Sequence, residues 1–147
     1  MLFDSHNHLQ NHRFDQHRDD LISEMRRVGI SRCVVNGTTE SDWPKVKRLA
    51  QDHPDLVIPS YGLHPWHLKP RSDHWLNTLA DLLIESPNAA IGECGLDRWF
   101  KDHDIGLQLP IFQKHLDLAV QFDRPITIHC LKAWGPLLTI LKKSTVL

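Results

Sequence analysis

The chain has 147 residues with 17 basic and 18 acidic side chains, a formal net charge of −1 that is ordinary for one water-soluble domain. This balance excludes the broad basic surface of a general nucleic-acid-binding protein, so any contact with nucleic acid is expected to be local to a site. Three widely spaced cysteines without a Cys-x-x-Cys pair, and no apolar run of membrane-spanning length, predict a cytoplasmic protein with reduced thiols and no membrane contact.

The chain opens with two histidines one residue apart, in the stretch FDSHNH at residues 3–8. Side chains alternate between the two faces of a strand, so His6 and His8 point to the same side if this stretch is a strand. Imidazole is a common ligand of zinc and similar ions. The pair predicts a metal site completed by side chains from elsewhere, although chance can also produce it in a chain with 11 histidines.

Strand and helix patterns alternate along the rest of the chain. Apolar spacing and capping residues predict helices over residues 19–28, 42–51, 75–85, 109–121 and 133–143. Pro110 is expected to delay the start of the fourth helix to residue 109. Short apolar runs predict further strands over residues 31–36, 56–63, 89–93 and 125–130. Runs of this kind indicate a parallel sheet covered by helices, so we expect one α/β domain over residues 1–147.

Polar side chains cluster at the predicted strand ends, where His64, Glu93 and His129 join His6 and His8. In parallel α/β folds the carboxyl ends of the strands meet at one edge and form the site. A buried carboxylate such as Glu93 needs a cation or a strong donor beside it, and its two oxygens can bridge two metal ions. Simpler roles also exist, because His64 suits a turn cap and His129 suits a satisfied core histidine.

Other polar residues near these motifs have supporting roles in this interpretation. Asp4 and Asp97 are expected to accept hydrogen bonds from the metal ligands or to contact substrate, although Asp97 also suits a loop cap. Cys94 and Cys130 point away from the neighbouring ligands and are expected to pack as small side chains. The remaining histidines are expected at the surface: His12, His17, His53, His67, His74, His103 and His115.

Five ordered motifs resemble those of the TatD family of metal-dependent hydrolases, over nearly the whole chain. They are FDSHNH at residues 3–8, GLHP at 62–65, GECGLD at 92–97, Gln108 with Phe112 and LDLA at 116–119, and PITIHC at 125–130. The resemblance implies a TIM-barrel-type fold. It also implies hydrolysis of phosphodiesters, notably as a DNase of the 3'-5' exonuclease kind, with two divalent metal ions such as zinc, magnesium or manganese.

The same resemblance implies a role for each motif residue. His6 and His8 would bind one metal ion, His129 the second, and Glu93 would bridge the two. His64 would contact the substrate phosphate or assist proton transfer, so Glu93 and His64 are the expected catalytic residues. DNA or another phosphodiester is the expected substrate.

The resemblance also implies that part of the family's barrel is missing. A complete barrel needs about 250 residues, and the pattern supplies about five of its eight β/α units. Because the family completes its metal site with a later histidine and aspartate, we expect a truncated chain with weak or no activity. The first and fifth strands are expected to be open edges that favour self-association.

Three alternative functions stay open. The chain is a non-catalytic fragment that binds metal weakly, a family relative that acts as an aminoacyl-tRNA deacylase, or a different metal hydrolase of the amidohydrolase kind. The GECGLD motif and the absence of a strand-end lysine that could be carboxylated disfavour the last alternative.

Overall fold

In the computed structural model, which describes residues 1–144, strands and helices alternate along the chain. The strands are β1 (Leu2–Asn7), β2 (Ile30–Asn36), β3 (Val57–Tyr61), β4 (Ala90–Asp97) and β5 (Ile126–Leu131). The helices are α1 (Arg18–Arg27), α2 (Trp43–Asp52), α3 (Trp75–Glu85), α4 (Ile105–Phe122) and α5 (Trp134–Leu141). Short 3₁₀ helices follow β1 (His12–Phe14) and β3 (Pro65–His67). The predicted alternation of strand and helix is confirmed.

The five strands form one parallel sheet whose spatial order is the order of the chain, β1-β2-β3-β4-β5. Each strand is followed by a helix that packs on the sheet, as in the wall of a β/α barrel. The core lies under these helices, where Trp43, Val46, Leu79, Leu83 and Leu116 are almost completely buried. No helix within residues 1–144 is long and apolar enough to cross a membrane.

The outer edges of β1 and β5 differ from the rest of the sheet. Within the part of the chain that the structure describes, β1 pairs only with β2 and β5 only with β4. Leu2 and Phe3 of β1 are 56% and 58% exposed, whereas every residue of β4 is buried. The two edges are therefore open, as the sequence predicts.

The fourth helix begins at Ile105, four residues before the predicted start at residue 109. Asp104 caps the helix by accepting a hydrogen bond from the backbone N–H of Leu107 at 3.0 Å. Gln108 in the first turns makes two hydrogen bonds with the backbone of Asp97, at 2.8 and 2.9 Å. These contacts hold the helix ahead of Pro110, which forfeits only one backbone hydrogen bond.

The prediction that His115 lies at the surface is wrong, because its side chain is completely buried in α4. Its Nδ1–H donates to the carbonyl of Ile111 at 2.8 Å, and its Nε2 accepts from the backbone N–H of Leu63 at 3.1 Å. The ring also stacks on Trp75 with centroids 5.0 Å apart. Burial lowers the pKa of His115 to about 4, so the imidazole is neutral and both nitrogens are satisfied.

Candidate metal centre

Glu93 is the centre of the site and lies in the middle of β4 rather than at the predicted end of the strand, since β4 continues to Asp97. The strand is irregular here, with a register shift against β5 between Ile91 and Cys94. Gly92 has a φ of 136°, and a Cβ at this position would lie 2.7 Å from the carbonyl oxygen of Thr127. Only glycine fits this bulge, which turns the Glu93 carboxylate into the site.

The first group of donor atoms joins β1 to β4. The Nε2 atoms of His6 and His8 lie 3.1 and 3.2 Å from Oε2 of Glu93, and 3.2 Å from each other. Ligands bound about 2.0–2.2 Å from one tetrahedral zinc ion are themselves about 3.3–3.6 Å apart, which is close to these distances. The three atoms therefore have the spacing and the chemistry of a site for a divalent metal ion.

Hydrogen bonds behind this group orient its ligands. Nδ1 of His8 lies 2.9 Å from the carbonyl oxygen of Asn36, so Nδ1 carries the proton and Nε2 keeps its lone pair for a metal ion. Asp4 accepts hydrogen bonds from the backbone N–H of His6 at 3.1 Å and from the amide of Asn7 at 2.7 Å. The Asp4 carboxylate thus holds the backbone of the HxH strand rather than either imidazole.

The second group of donor atoms surrounds the other oxygen of the same carboxylate. Nδ1 of His129 lies 3.0 Å from Oε1 of Glu93, and Nε2 of His64 lies 3.7 Å from this oxygen and 3.1 Å from Nδ1 of His129. Histidines from β5 and from the loop after β3 therefore converge on a residue of β4. The structure brings together five residues that the sequence separates by up to 123 positions: His6, His8, His64, Glu93 and His129.

Asp97 orients His129 in this second group. Its Oδ2 accepts a hydrogen bond from Nε2–H of His129 at 2.8 Å and another from the indole N–H of Trp66 at 2.8 Å. Its Oδ1 accepts from the backbone N–H of Trp99 at 2.6 Å. With the proton held on Nε2, His129 turns the lone pair of Nδ1 toward Glu93, where a metal ion would bind.

His64 differs from the other histidines in the proton that it presents. Its Nδ1 accepts a hydrogen bond from the backbone N–H of Trp66 at 3.2 Å, so a neutral His64 carries its proton on Nε2. Burial lowers the pKa of His64 to about 4, which keeps the ring neutral near pH 7. Although Nε2 lies close enough to share a metal ion with Glu93 and His129, it presents an N–H and not a lone pair.

The charge of Glu93 is stabilised by its surroundings. Burial alone would raise the pKa of this carboxyl group. His129 and His8 outweigh it by donating hydrogen bonds to the carboxylate in their protonated forms, which carry a proton on both ring nitrogens, and the nearby imidazoles of His64 and His6 add to this effect. The resulting pKa lies below the ordinary value, and the carboxylate is ionised at neutral pH. The expectation that a buried Glu93 has strong donors beside it is confirmed by these contacts.

The sequence analysis missed two residues that support the site, Asn36 and Trp66. Asn36 acts through its backbone carbonyl, which no sequence motif reveals. Trp66 hydrogen-bonds to both His64 and Asp97, and the available signal was a tryptophan directly after the GLHP motif at the end of a strand. Cys94 is buried as predicted, with Sγ 3.9 Å from a backbone carbonyl and outside both groups of donor atoms.

The site opens into a cleft of about 340 Å³ at the carboxyl ends of the strands. Its walls come from the loops after β1, β2 and β3 and from the first turn of α2, and include His12, Lys45 and His67 beside Glu93 and Trp66. Cationic and imidazole side chains next to a carboxylate that could hold a metal ion suit an anionic ligand.

Comparisons with known proteins agree with these observations. The family model for TatD related DNase matches residues 3–146. The protein named 3'-5' ssDNA/RNA exonuclease TatD from Erwinia tasmaniensis is 34% identical over 143 residues, covering 96% of this chain and 54% of that protein. The protein of the same name from Pantoea sp. is 32% identical with the same coverage. The chain spans about half the length of the curated relatives it matches.

Solved structures show the same fold and the same coverage. The TatD homologue YJJV from Escherichia coli superposes with a TM-score of 0.85 at 27% identity, covering 97% of this chain and 55% of that one. A TatD family hydrolase from Entamoeba histolytica also gives 0.85, at 20% identity, and bears on the fold alone. The predicted TIM-barrel-type fold, with about five of eight β/α units, is confirmed. The chain belongs to the TatD related DNase family.

Proposed function

We propose that residues 1–147 form one partial TatD-type hydrolase domain that binds two divalent metal ions and hydrolyses phosphodiester bonds in DNA or RNA. One observation carries this proposal: the two oxygens of Glu93 face separate histidine groups. Oε2 lies 3.1 and 3.2 Å from His6 and His8, and Oε1 lies 3.0 Å from His129. The names of the relatives, which are single-stranded DNA and RNA exonucleases, support a phosphodiester substrate.

The distances between the donor atoms support one proposed set of ligands for each metal position. His6, His8 and Glu93 would hold the first ion, and Glu93 and His129 the second. Imidazole ligands favour zinc, whereas the carboxylate also suits manganese and magnesium. A bound pair of such ions polarises phosphoryl oxygens and lowers the pKa of coordinated water toward neutrality.

His64 and Asp97 act on the substrate and on the ligands, respectively. His64 directs its Nε2–H into the site, where it donates a hydrogen bond to the phosphoryl oxygen that gains negative charge during hydrolysis. Asp97 keeps the proton of His129 on Nε2 and therefore keeps Nδ1 ready for metal binding. Both roles follow from the hydrogen bonds that already exist around each ring.

We further propose that the chain by itself is a weak enzyme. Within residues 1–144 the second group offers only Glu93 and His129 as lone-pair donors, since His64 presents an N–H. Catalytic zinc sites usually have three protein ligands. The second ion is therefore expected to bind weakly, and the alternative is a metal-binding chain without catalysis.

Metal content and hydrolysis of the same sample test this function. Mass spectrometry after exhaustive dialysis would count the metal ions, and a labelled single-stranded oligonucleotide would report cleavage with zinc, manganese or magnesium. We expect His6→Ala and Glu93→Gln to lose both metal and cleavage. The matched control is His74→Ala, because His74 is exposed at the start of α3 and its side chain does not cap that helix.

The possible results separate the candidate functions. If His6→Ala retained its metal and its cleavage, the ligand assignment would be wrong. Metal binding without cleavage of any strand would identify the non-catalytic alternative. Hydrolysis of an aminoacyl ester without cleavage of DNA or RNA would identify the deacylase alternative.

We also propose that the open edges of the sheet associate between copies of the chain. The outer edge of β1 carries exposed Leu2 and Phe3, and unpaired strand edges favour pairing with another chain. Sedimentation velocity over a range of concentrations would test this, with Phe3→Lys as the variant expected to reduce association. A concentration-independent monomer would contradict the proposal.

A further inference from the structure

Trp66 combines an exposed indole with two hydrogen bonds that tie it to the metal centre. Its Nε1–H donates to Oδ2 of Asp97 at 2.8 Å, and its backbone N–H donates to Nδ1 of His64 at 3.2 Å. The residue is nevertheless 52% exposed. An exposed side chain usually loses conformational entropy when it binds a ligand, and these bonds reduce that loss because the ring is already held in place.

The Trp66 indole lines two neighbouring cavities. It lines the 340 Å³ cleft that contains His64 and Glu93, and it also lines a second cavity of about 230 Å³ together with Lys69 and Phe100. The ring centroid lies 5.0 Å from that of His64 and 6.3 Å from that of Phe100. A phosphate that accepts a hydrogen bond from His64 would therefore have its neighbouring sugar and base beside this ring.

We propose that Trp66 is a stacking platform for the nucleobase next to the phosphate that contacts His64, and that this contact selects single-stranded nucleic acid. The inference rests on the proposed phosphodiester substrate and adds the residue that recognises it. Base–aromatic stacking is worth about 1–3 kcal/mol per base and tolerates any sequence. A base in a duplex is stacked on its neighbours, so it must leave the helix before it reaches the indole.

The charges around the indole include one ammonium group for a phosphate on each side of the base. Lys45 lines the cleft together with Asp42, and Lys69 lines the second cavity together with Asp102 and Asp104. An aromatic ring between basic side chains is the usual composition of a single-strand binding groove.

Two other tryptophans provide matched controls, since Trp99 and Trp134 are 61% and 63% exposed. The ammonium group of Lys132 lies 3.6 Å from the centroid of the Trp99 ring, so a cation already covers one face of that ring. Trp134 begins α5, and neither tryptophan lines the two cavities that Trp66 lines. Variants of Trp99 and Trp134 therefore measure the effect of removing an exposed indole that does not line these cavities.

Binding of two matched strands to the full chain tests the proposal. One strand is an oligothymidylate of about ten nucleotides, and the other has the same backbone with abasic sugars. Both carry phosphorothioate linkages to slow cleavage, and fluorescence anisotropy measures the Kd. We expect Trp66→Leu to weaken binding of the thymidylate strand about tenfold, the equivalent of 1.4 kcal/mol, and to leave the abasic strand unchanged.

The remaining variants separate stacking from a structural role. Trp66→Phe is expected to retain most of the preference for bases because the ring remains, and Trp99→Leu and Trp134→Leu are expected to bind both strands normally. Equal loss on the two strands, no loss on either, or a wild-type chain without preference for bases would each overturn the proposal.

The outcome is independent of catalysis. A chain that cleaves no strand but loses base-dependent binding in Trp66→Leu contradicts the proposed hydrolysis and retains the stacking site. A chain that cleaves oligonucleotides but shows no base-dependent loss of binding in Trp66→Leu contradicts the stacking site and retains the proposed hydrolysis.

Discussion

Nε2 of His129 lies 2.8 Å from Oδ2 of Asp97, and this hydrogen bond decides which nitrogen of His129 faces Glu93. The proton stays on Nε2, while Nδ1 lies 3.0 Å from Oε1 of Glu93. The same Asp97 oxygen accepts the indole N–H of Trp66, so one buried carboxylate connects a proposed metal ligand to a proposed substrate contact.

Asp97→Asn is expected to weaken metal binding at the second position by about 10–100-fold. An amide can present its NH₂ group to Nε2, which would move the proton of His129 to Nδ1 and remove the lone pair from the site. Isothermal titration calorimetry with zinc would measure this loss of affinity. Asp73→Asn, a change at an exposed position, is the control, and equal affinity in both variants would contradict the role of Asp97.

Zinc is expected to stabilise the folded chain, and chelation to destabilise it. A ligand that binds only the native state adds about 2.7 kcal/mol to the free energy of unfolding at one hundred times its Kd. The first site carries this effect, because unfolding separates His6 and His8, at the end of β1, from Glu93 in β4. Thermal unfolding with zinc and with a chelator would show the shift. A Glu93→Gln variant that gained as much stability from zinc as the wild type would refute the assignment.

His115 is expected to make stability depend on pH. Burial lowers its pKa from 6.5 to about 4 in the folded chain, so the unfolded state binds the extra proton between these values. Stability is therefore retained above pH 6.5 and lost as the pH falls toward 4, by about 3 kcal/mol at 1.36 kcal/mol per pH unit.

Urea unfolding at several pH values would measure this loss, with His115→Gln as the comparison because glutamine does not titrate. The variant should lose less stability between pH 6.5 and 4 than the wild type. If the free energy of unfolding fell equally with pH in the wild type and in His115→Gln, groups other than His115 would produce the acid sensitivity.

Pro110→Ala is expected to raise the free energy of unfolding by about 1 kcal/mol or more. Pro110 is exposed inside α4 and supplies no N–H to the carbonyl four residues earlier, whereas alanine restores that hydrogen bond. Urea unfolding would measure the gain. A loss of stability would contradict this prediction. It would show that proline stabilises the protein more by restricting the unfolded chain than alanine does by restoring the hydrogen bond.

The order and type of the elements were predictable because they depend on local patterns. The apolar runs of β2 to β5 and the helical spacing of α1 to α5 lie within short windows of sequence. The start of α4 was missed because Pro110 was expected to delay the helix, although its cap, Asp104, is a local signal. The contacts of Gln108 with the backbone of Asp97, which stabilise the first turns, are not local. The burial of His115 was missed because one of its two partners, Leu63, lies 52 positions away in the chain.

The sequence by itself determined the parallel β/α architecture and nominated His6, His8, His64, Glu93 and His129, because strand ends and residue types are local properties. Only the tertiary structure decided how they are arranged. The distances to the two oxygens of Glu93, the hydrogen bonds of each imidazole and the position of Trp66 depend on contacts between strands and loops that are far apart in the chain. A hydrogen bond that orients a ring has no local signature, and so the proposed division between metal ligands and a proton donor rests on contacts that form only when the strands pack.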